Sequence, residues 1–350
     1  MNALLRTLGI AHPIIQGPMG GGPSTPELVA AVSNAGGLGS LGAAYLTPDQ
    51  IRDAVRRIRA LTDRPFNVNL FAGGYERPRP FDPGPMLALL SEIHAALELP
   101  PPAVPPSVPD PFLDQFAAVL ESAPPIFSFT FGIPPADALT RLAARGIAIL
   151  GTATTVHEAR MLAGAGVTAI VLQGEEAGAH RGTFAGPFED SMVPTLELVA
   201  EAAPAISVPV IASGGLMDGR DVAAAIRRGA SAVQLGTAFL ACPESGAPAA
   251  HKRAILEARG DTTVVTRAFS GRPARGLRNT FIAAVEGKDE MILPFPLQNA
   301  LTRPMRTAAA KLGRAGYLSL WAGRGVARAR GIPAGELVAR LAGEAGAPVR

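Results

Sequence analysis

The chain has 350 residues, of which 48% are hydrophobic and 17% charged, enough for one large domain with additions or for two domains. The formal net charge is +3 and the basic residues are scattered, so nucleic-acid binding is not expected. One cysteine, Cys242, excludes an internal disulfide and fits a reducing compartment; it precedes Pro243 in a predicted loop and is expected to be structural. The N-terminus shows no apolar leader and no run of about 18 apolar residues occurs, so we expect a cytoplasmic protein without a membrane span.

Short apolar runs alternate with amphipathic segments through the first two thirds of the chain. Thr25 and Thr47 are predicted helix N-caps, because each precedes a proline at the first helical position. Helices are predicted at 26–34, 48–61, 112–120, 135–144, 155–163, 193–203 and 218–228. Strands are predicted at 13–19, 38–42, 65–71, 126–131, 148–152, 169–172, 209–213 and 232–235.

Strands that alternate with helices in this way predict a parallel sheet, and eight of them predict closure into a (β/α)8 TIM barrel. The alternative is an open doubly wound sheet. That fold needs a GxGxxG turn before a helix and an acidic residue about 20 positions further on. Residues 37–42 give only a loose glycine cluster, so the barrel is favoured.

Two parts of the chain lie outside this pattern. Residues 72–111 are rich in proline and predict an excursion over the barrel mouth, with one short helix at 86–97. Residues 246–350 predict a small additional helical and extended segment packed on the barrel of residues 1–245. Within it, helices are predicted at 251–258, 301–312 and 332–341, with an extended piece at 318–321. A polar stretch at 262–281 carries four arginines that are expected on a solvated face, with contact to an anionic substrate or phosphate as the alternative: Arg267, Arg272, Arg275 and Arg278.

Polar residues cluster where the predicted strands end. Gln16, Asn69 and Gln173 are amides at three such ends, and an amide offers both the donor and the acceptor that suit the edge of a flavin ring. The loop 173–182 follows a buried strand and carries His180, the side chain best suited to move a proton near neutral pH. His180, the adjacent Arg181 or backbone donors are candidates for stabilising a substrate anion.

Glycines at the ends of the seventh and eighth predicted strands indicate a phosphate site, since they leave backbone N–H groups open to an anion. These positions are Gly214, Gly215 and the run Gln234, Leu235, Gly236 and Thr237. No metal site is predicted, because the histidines lack ligand spacing. Glu175 and Glu176 are expected to support the loop or to face solvent; a general-acid role is the less favoured alternative, because the histidine is better matched to neutral pH.

Seven motifs, taken together and in order, resemble those of the nitronate monooxygenases, formerly called 2-nitropropane dioxygenases. Five lie in the barrel: PIIQGPM at 13–19, NVNLF at 67–71, QGEEAGAHRG at 173–182, SGG at 213–215 and QLGT at 234–237. Two in the tail are similar to the class I branch: PLQN at 296–299 and LWAG at 320–323.

The resemblance implies an FMN-dependent TIM barrel that oxidises alkyl nitronates such as propionate 3-nitronate with O2. One-electron transfer to the flavin would give a carbonyl product and nitrite or nitrate, and detoxification of nitroalkanes is a corresponding role. His180 would be the catalytic residue. The residues that would hold FMN are Gln16, Met19, Asn69, Gln173, Gly178, Gly214, Gly215, Gln234, Leu235, Gly236 and Thr237.

The chain departs from the family at Ala179, where a second glycine usually precedes the histidine. A methyl group there is expected to shift the backbone slightly and to affect substrate geometry more than the flavin site. The expected partners are a small nitronate and O2, and a homodimer is an assembly that the sequence allows.

Two other functions remain open at this point. One is an FMN-dependent NAD(P)H reductase, either an enoyl-acyl-carrier-protein reductase of the FabK type or a quinone reductase, since these barrels share the flavin site and a similar histidine loop. The other is a catalytically silent flavin- or phosphate-binding barrel with a regulatory role.

Overall fold

The computed structural model describes residues 2–75, 80–105 and 107–346. The predicted excursion at 72–111 therefore lies partly outside the described residues, at 76–79 and at 106. The strands, in chain order, are β1 Ile14–Gln16, β2 Gly39–Gly42, β3 Phe66–Phe71, β4 Ile126–Thr130, β5 Ala148–Ala153, β6 Ala169–Gln173, β7 Ala179–His180, β8 Val210–Ser213, β9 Ala232–Leu235, β10 Thr263–Thr266 and β11 Ala274–Leu277.

Eight of these strands form one parallel sheet in the order β1-β9-β8-β6-β5-β4-β3-β2. A parallel bridge between Ile15 and Leu38 joins the two ends of this order and closes the sheet. The predicted (β/α)8 TIM barrel is confirmed, and the open sheet is excluded because its edge strands would not meet.

Helices surround the barrel and extend it. The predicted caps are confirmed: Leu28 N donates to Thr25 Oγ1 and Gln50 N donates to Thr47 Oγ1. The helices are α1 Ala3–Leu8, α2 Pro26–Asn34, α3 Pro48–Leu61, α4 Gly84–Ala96, α5 Phe112–Ser122, α6 Ala136–Ala143, α7 Val156–Gly164, α8 Thr195–Ala202, α9 Gly219–Arg227, α10 Thr237–Leu240, α11 Ala249–Glu257, α12 Thr280–Val285, α13 Leu297–Leu301, α14 Arg303–Lys311 and α15 Ala334–Gly346.

The short helix α1 was not predicted from the sequence. The Asn2 side chain caps its start by accepting from Leu4 N, and Gly9 ends it in the left-handed conformation. Its leucines pack against barrel-interior residues that include the first residues of β4, β6 and β9. The helix therefore closes the end of the barrel at which the strands begin. In TIM barrels the active site lies at the opposite end, where the strands finish.

The last helix, α15, packs against α9 and α2. Leu337, Val338 and Leu341 are buried in the same hydrophobic cluster as the outer faces of the strands, and Gly219 N donates to Glu344 Oε2 over 2.9 Å. The helix thus occupies the eighth position of the outer ring, although the sequence places it about 100 residues after the eighth strand. The boundary at residue 245 stays a prediction.

A second hydrophobic cluster joins the excursion to the C-terminal segment. Met86 and Leu90 of α4 pack with Phe269, Phe281 and Met305. Beside it lies a small antiparallel sheet in the order β10-β11-β7. The sequence analysis missed these strands and treated 262–281 as a solvated polar stretch, which is wrong because β11 is buried throughout.

Candidate active site

The histidine loop is held by pairing across a long stretch of sequence. His180 in β7 pairs with Ala274 in β11. The Gln173 side chain bridges the base of the loop, since its Nε2 donates to His180 O over 3.0 Å and its Oε1 accepts from Gly182 N over 2.7 Å. The amide of Gln173 therefore orients the loop that carries the histidine.

The Ala179 backbone has a φ of +63°, in the left-handed region that favours glycine. The departure from the family glycine therefore falls at a position that strains an L-residue. The methyl group adds strain directly before His180.

His180 lies in an aromatic enclosure. Its ring centroid is 5.7 Å from that of Trp321, 5.8 Å from Phe131, 6.1 Å from Phe295 and 6.4 Å from Phe71. The Nε2 atom is 2.9 Å from Ser270 Oγ, which fixes the orientation of the ring. Ser270 was not predicted, because it lies 90 positions further along the chain.

The pKa of His180 is lowered to about 3, first by burial and then by the positive charges of Arg272 and Arg306. The imidazole is therefore neutral at physiological pH, and it can take up a proton only when an anion beside it offsets the cost of the added charge. It is also surrounded by positive potential that favours an anion beside it.

Arg272 is half-buried, and its guanidinium carbon lies 3.8 Å from the centroid of the Phe131 ring. It donates to the carbonyl oxygens of Arg181 and Thr183. Phe131 has a φ of +73°, which is unusual for a bulky residue and marks backbone strain beside His180.

The expectation that four arginines lie on a solvated face is thus only half right. Arg267 and Arg278 are exposed, whereas Arg272 lines the histidine enclosure. Arg275 is 3% exposed and donates from Nε to Glu175 O over 2.9 Å.

Arg181 does not face a substrate. It is 1% exposed, and its guanidinium donates to the carbonyl oxygens of Gly174, Gln173 and Ser191 over 2.5 to 3.0 Å. The expected role of Arg181 in stabilising a substrate anion is wrong, because its guanidinium donates these hydrogen bonds to backbone carbonyl oxygens around the end of β6. Arg272 and Arg306 supply the positive charge near His180 instead.

Two glutamates hold the loops around the site. Glu158 is fully buried, and its carboxylate accepts from Thr154, Phe184 N and Ala185 N; the sequence analysis did not single it out. Glu176 accepts from Thr195 N and Oγ1, and Glu175 pairs with Arg324 over 2.5 Å. The expectation that Glu175 and Glu176 support loop geometry is confirmed by these bonds.

The ends of β8 and β9, called the cradle below, carry the glycines from which the sequence analysis predicts a phosphate site. Gly214 and Gly215 have φ values of +131° and +68°. At Gly236, an added Cβ would meet no atom within 4 Å, so open space lies beside the backbone there. This space and the absence of a side chain fit a bulky anion that approaches the main chain closely.

The other predicted cofactor residues differ in how many hydrogen bonds their side-chain polar atoms make within the protein. Asn69 Nδ2 donates to Ser128 Oγ over 2.9 Å, and its Oδ1 has no partner among the described residues. Gln234 is half-buried and has one long contact of 3.5 Å, to Ser213 Oγ.

Three other predicted cofactor residues have side chains that are packed within the protein or bonded to it: Gln16, Met19 and Leu235. Gln16 is fully buried, and its amide bonds to Gly17 O, Ser24 Oγ and Ser40 N. Met19 is half-buried, and Leu235 is 1% exposed, with its carbonyl accepting from Gly17 N.

The tail brings several of these residues together. Gly323 N donates to Thr237 Oγ1 over 2.9 Å, and a Cβ on Gly178 would lie 2.6 Å from the backbone of Ala322 and Gly323. The motif 320–323 therefore lies across both the histidine loop and the cradle.

A model of the nitronate monooxygenase family matches residues 2–344. The chain belongs to the nitronate monooxygenase family. It is therefore an enzyme, a flavin-dependent oxidoreductase, and the resemblance drawn from the motifs is confirmed.

Curated relatives cover nearly the full length. The nitronate monooxygenase of Pseudomonas aeruginosa is 44% identical over 348 residues, 97% of each chain. A probable nitronate monooxygenase of Bacillus subtilis is 42% identical over 331 residues, 93% of each chain.

Solved structures show the same fold. A nitroalkane oxidase from Streptomyces ansochromogenes superimposes with a TM-score of 0.89 at 42% identity and covers 98% of this chain and 97% of its own. FabK from Thermotoga maritima gives a TM-score of 0.77 at 30% identity, with 99% and 96% covered. The FabK-type reductases are thus similar but more distant.

Two features are absent from residues 2–75, 80–105 and 107–346. Within these ranges no helix has the length and apolar character to cross a bilayer. In the same part of the chain, no group of three or more His, Cys, Asp or Glu side chains is placed to hold a metal ion. Cys242 is buried, and burial raises the pKa of its thiol to about 12, which makes it a poor nucleophile.

Proposed function

We propose that this enzyme uses FMN and O2 to oxidise alkyl nitronates, of which propionate 3-nitronate is the representative, to a carbonyl product and nitrite or nitrate. The observation that carries the proposal is the neutral His180 with Arg272 and Arg306 as its charged neighbours. A nitronate is an anion and already a carbanion equivalent, so it needs positioning and positive potential rather than a strong base.

The residues at the carboxyl ends of the strands fit FMN. The phosphate would lie against Gly214, Gly215, Gly236 and Thr237, and the space beside the Gly236 backbone is open. Asn69, Gln173 and Gln234 would face the ring, with Gln16, Met19, Gly178 and Leu235 supporting the walls. When bound, FMN supplies the redox step by accepting an electron from the nitronate.

The protein's own residues would position the substrate. The aromatic rings around His180 exclude water, which strengthens the attraction between the nitronate oxygens and the nearby guanidinium groups. For a neutral nitroalkane, His180 would in addition take the proton from the carbon that bears the nitro group. Its imidazole is unprotonated, and the nitronate anion that forms beside it would offset the cost of its positive charge.

The test is oxygen uptake by the purified yellow protein with propionate 3-nitronate and no NADH. We expect rapid uptake with release of nitrite. The alternative, supported by the likeness to FabK, is an NAD(P)H-dependent reductase. Absence of uptake together with NADH consumption in the presence of a crotonyl thioester or a quinone would overturn the proposal in its favour.

A further inference from the structure

Ser270, which contacts His180, is held in a tight turn between β10 and β11. It is 1% exposed, and its backbone N–H donates to Arg267 O over 3.2 Å. The next residue, Gly271, donates to the same oxygen over 2.8 Å and has a φ of +81°, a conformation that favours glycine. A Cβ at Gly271 would lie 2.3 Å from Leu293 O, so the turn is packed closely against the segment that precedes α13. The backbone that carries the Ser270 side chain therefore has little room to move.

Two buried side chains from the C-terminal segment restrain the same turn. Gln298 Nε2, in α13, donates to Ala268 O over 2.7 Å, and Thr302 Oγ1 donates to Phe269 O over 2.6 Å. Gln298 and Thr302 are both fully buried, so these bonds are shielded from water. The position of Ser270 is thus fixed independently of its contact with His180.

The Ser270 hydroxyl has three polar neighbours. Arg272 O, 3.1 Å from Ser270 Oγ, can only accept a hydrogen bond, and Arg272 N, 3.3 Å away, can only donate one. The third neighbour, His180 Nε2 at 2.9 Å, can do either, according to the tautomer of the ring. Because a hydroxyl has a single proton, the direction of the bond to His180 depends on where that proton points.

Only one arrangement satisfies all three contacts. The hydroxyl proton points to Arg272 O, and the two lone pairs of Ser270 Oγ accept from Arg272 N and from a proton on His180 Nε2. In the reverse arrangement the hydroxyl proton points to Nε2, and Ser270 Oγ and Arg272 O then face each other at 3.1 Å with no proton between them. Two oxygen lone pairs at that distance repel each other, so the neutral ring carries its proton on Nε2.

In this tautomer the lone pair of the ring lies on Nδ1. This atom has no hydrogen-bond partner in the described part of the chain, and it is not among the polar atoms that are sealed within the protein. The rings around it are those of the enclosure, including Phe131, Phe295 and Trp321. An unprotonated nitrogen that no protein group uses can accept a proton from a bound substrate.

We propose that Ser270 is a positioning residue that holds His180 in the Nε2–H tautomer, so that Nδ1 is the atom that takes a proton from a neutral nitroalkane. In this step the C–H bond beside the nitro group breaks, its electron pair stays on the substrate as the nitronate, and the proton forms a bond with Nδ1. This inference rests on the proposed function and identifies the reacting atom of its base.

The same bonds stabilise the ring after it has taken the proton. The Nε2–H group continues to donate to Ser270 Oγ, and this bond becomes stronger because its donor is now charged. Arg272 O, which accepts the hydroxyl proton of Ser270, makes the hydroxyl oxygen a better acceptor for the charged ring. Ser270 therefore favours both the reactive tautomer and the protonated product of the step.

The tautomer is measured by nuclear magnetic resonance of the purified yellow protein with ¹⁵N-labelled histidines. Two-bond correlations between the ring protons and ring nitrogens show which nitrogen carries the proton. The sequence has five histidines, and the signals of His180 are those that disappear in His180→Asn. We expect His180 in the Nε2–H form at neutral pH. A proton on Nδ1, or a mixture of the two tautomers, would overturn the inference.

Ser270→Ala tests whether the bond matters to the base. Loss of a hydrogen bond to a ring that becomes charged should lower kcat/KM for nitroethane at least about tenfold. For ethyl nitronate, from which no proton is removed, kcat/KM should change less than about threefold. Thr302→Val is the matched control, since it removes a hydroxyl that bonds the same turn at Phe269 O and leaves that of Ser270 in place. It should leave both values within about threefold of wild type.

An unchanged kcat/KM for nitroethane in Ser270→Ala, equal losses on the two substrates, or the same selective loss in Thr302→Val would contradict the positioning role. If Ser270→Ala fails to fold, the tautomer of His180 in the wild-type protein still decides the inference. That measurement needs no turnover, so it separates this inference from the proposed function: the Nε2–H form supports the role of Ser270 even in a protein that oxidises no nitronate, and the Nδ1–H form excludes it even in one that does.

Discussion

Gly323 in the C-terminal tail donates its backbone N–H to Thr237 Oγ1, at the end of the eighth barrel strand, over 2.9 Å. The two residues are 86 positions apart, yet the same tail backbone also passes Gly178 so closely that a Cβ there would lie 2.6 Å from it. The cradle and the histidine loop are therefore fixed to each other by the tail. A change in the tail should affect both flavin retention and the placement of His180.

Gly236→Ala tests the cradle directly. The Gly236 backbone has a φ of −100°, which alanine adopts, and the added Cβ meets no protein atom within 4 Å. We expect the flavin-free protein to keep its stability or gain about 0.5 kcal/mol, while FMN affinity falls at least about tenfold because the methyl fills the space for the phosphate. Urea melts of the flavin-free protein and fluorescence titration with FMN measure the two effects.

Gly178→Ala is the matched comparison, since its Cβ clashes with the backbone of Ala322 and Gly323. It should destabilise the flavin-free protein by at least about 1 kcal/mol. A Gly236→Ala variant that binds FMN like wild type would show that the phosphate lies elsewhere.

Ala179→Gly should relax the histidine loop. At a φ of +63° an alanine destabilises the folded protein by about 1 kcal/mol. Glycine removes this strain, but its greater conformational freedom in the unfolded chain offsets part of the gain in stability. We expect a gain in unfolding free energy of up to about 1 kcal/mol, and for Ala179→Val a loss of at least about 1 kcal/mol. Thermal melts of both variants measure these differences in stability. A Val variant as stable as the Gly variant would show that the backbone at residue 179 is not strained.

Stability should fall in mild acid because of buried histidines. His251 is 5% exposed, its Nε2 lies 3.1 Å from Trp321 O, and burial lowers its pKa to about 4. As pH falls below about 6.5, the unfolded chain takes up a proton that the folded protein refuses until about pH 4. Each such histidine then lowers the free energy of unfolding by about 1.4 kcal/mol for each pH unit.

His180, whose pKa is lowered to about 3, acts in the same direction. Above about pH 6.5 neither histidine contributes, since both are neutral in the folded and unfolded states. His251→Gln should reduce the slope of unfolding free energy against pH by about one proton, measured by urea melts between about pH 7 and about pH 5. An unchanged slope would mean that His251 is not the group responsible.

His180→Asn separates the two classes of substrate. A preformed nitronate needs no proton removed, whereas a neutral nitroalkane does. We expect kcat/KM to fall about 100-fold or more for nitroethane and less than about tenfold for ethyl nitronate. The flavin content of the variant should match wild type, which serves as the control for folding. Equal losses on both substrates would rule out the base role.

The barrel could be predicted because the sequence pattern that marks each of its strands and helices lies within one short segment. Each strand is a short apolar run, and caps such as Thr25 and Thr47 mark the helix starts. Helix α1 was missed because its six residues are too few for a clear period, although Asn2 and Gly9 were available as cap signals. The position of α15 beside α9 and α2 could not be inferred, since it depends on packing between distant segments.

The site was predictable where one strand end or one loop carries the chemistry, as for His180 and the glycines of the cradle. It was not predictable where the partner comes from elsewhere in the chain. Ser270 bonds to His180 because β7 pairs with β11, and Arg306 on α14 acts on His180 through its charge. Arg181 was misjudged because its position next to the histidine says nothing of where its side chain bonds.

The most direct test of the account is an anaerobic stopped-flow experiment on the purified yellow protein, with the visible absorbance of the flavin as the readout. Mixing with propionate 3-nitronate should bleach the flavin within the time of one turnover, and mixing with NADH should not. Admission of O2 should then restore the absorbance and release nitrite. Rapid bleaching by NADH with none by the nitronate would contradict the account and identify the enzyme as a reductase.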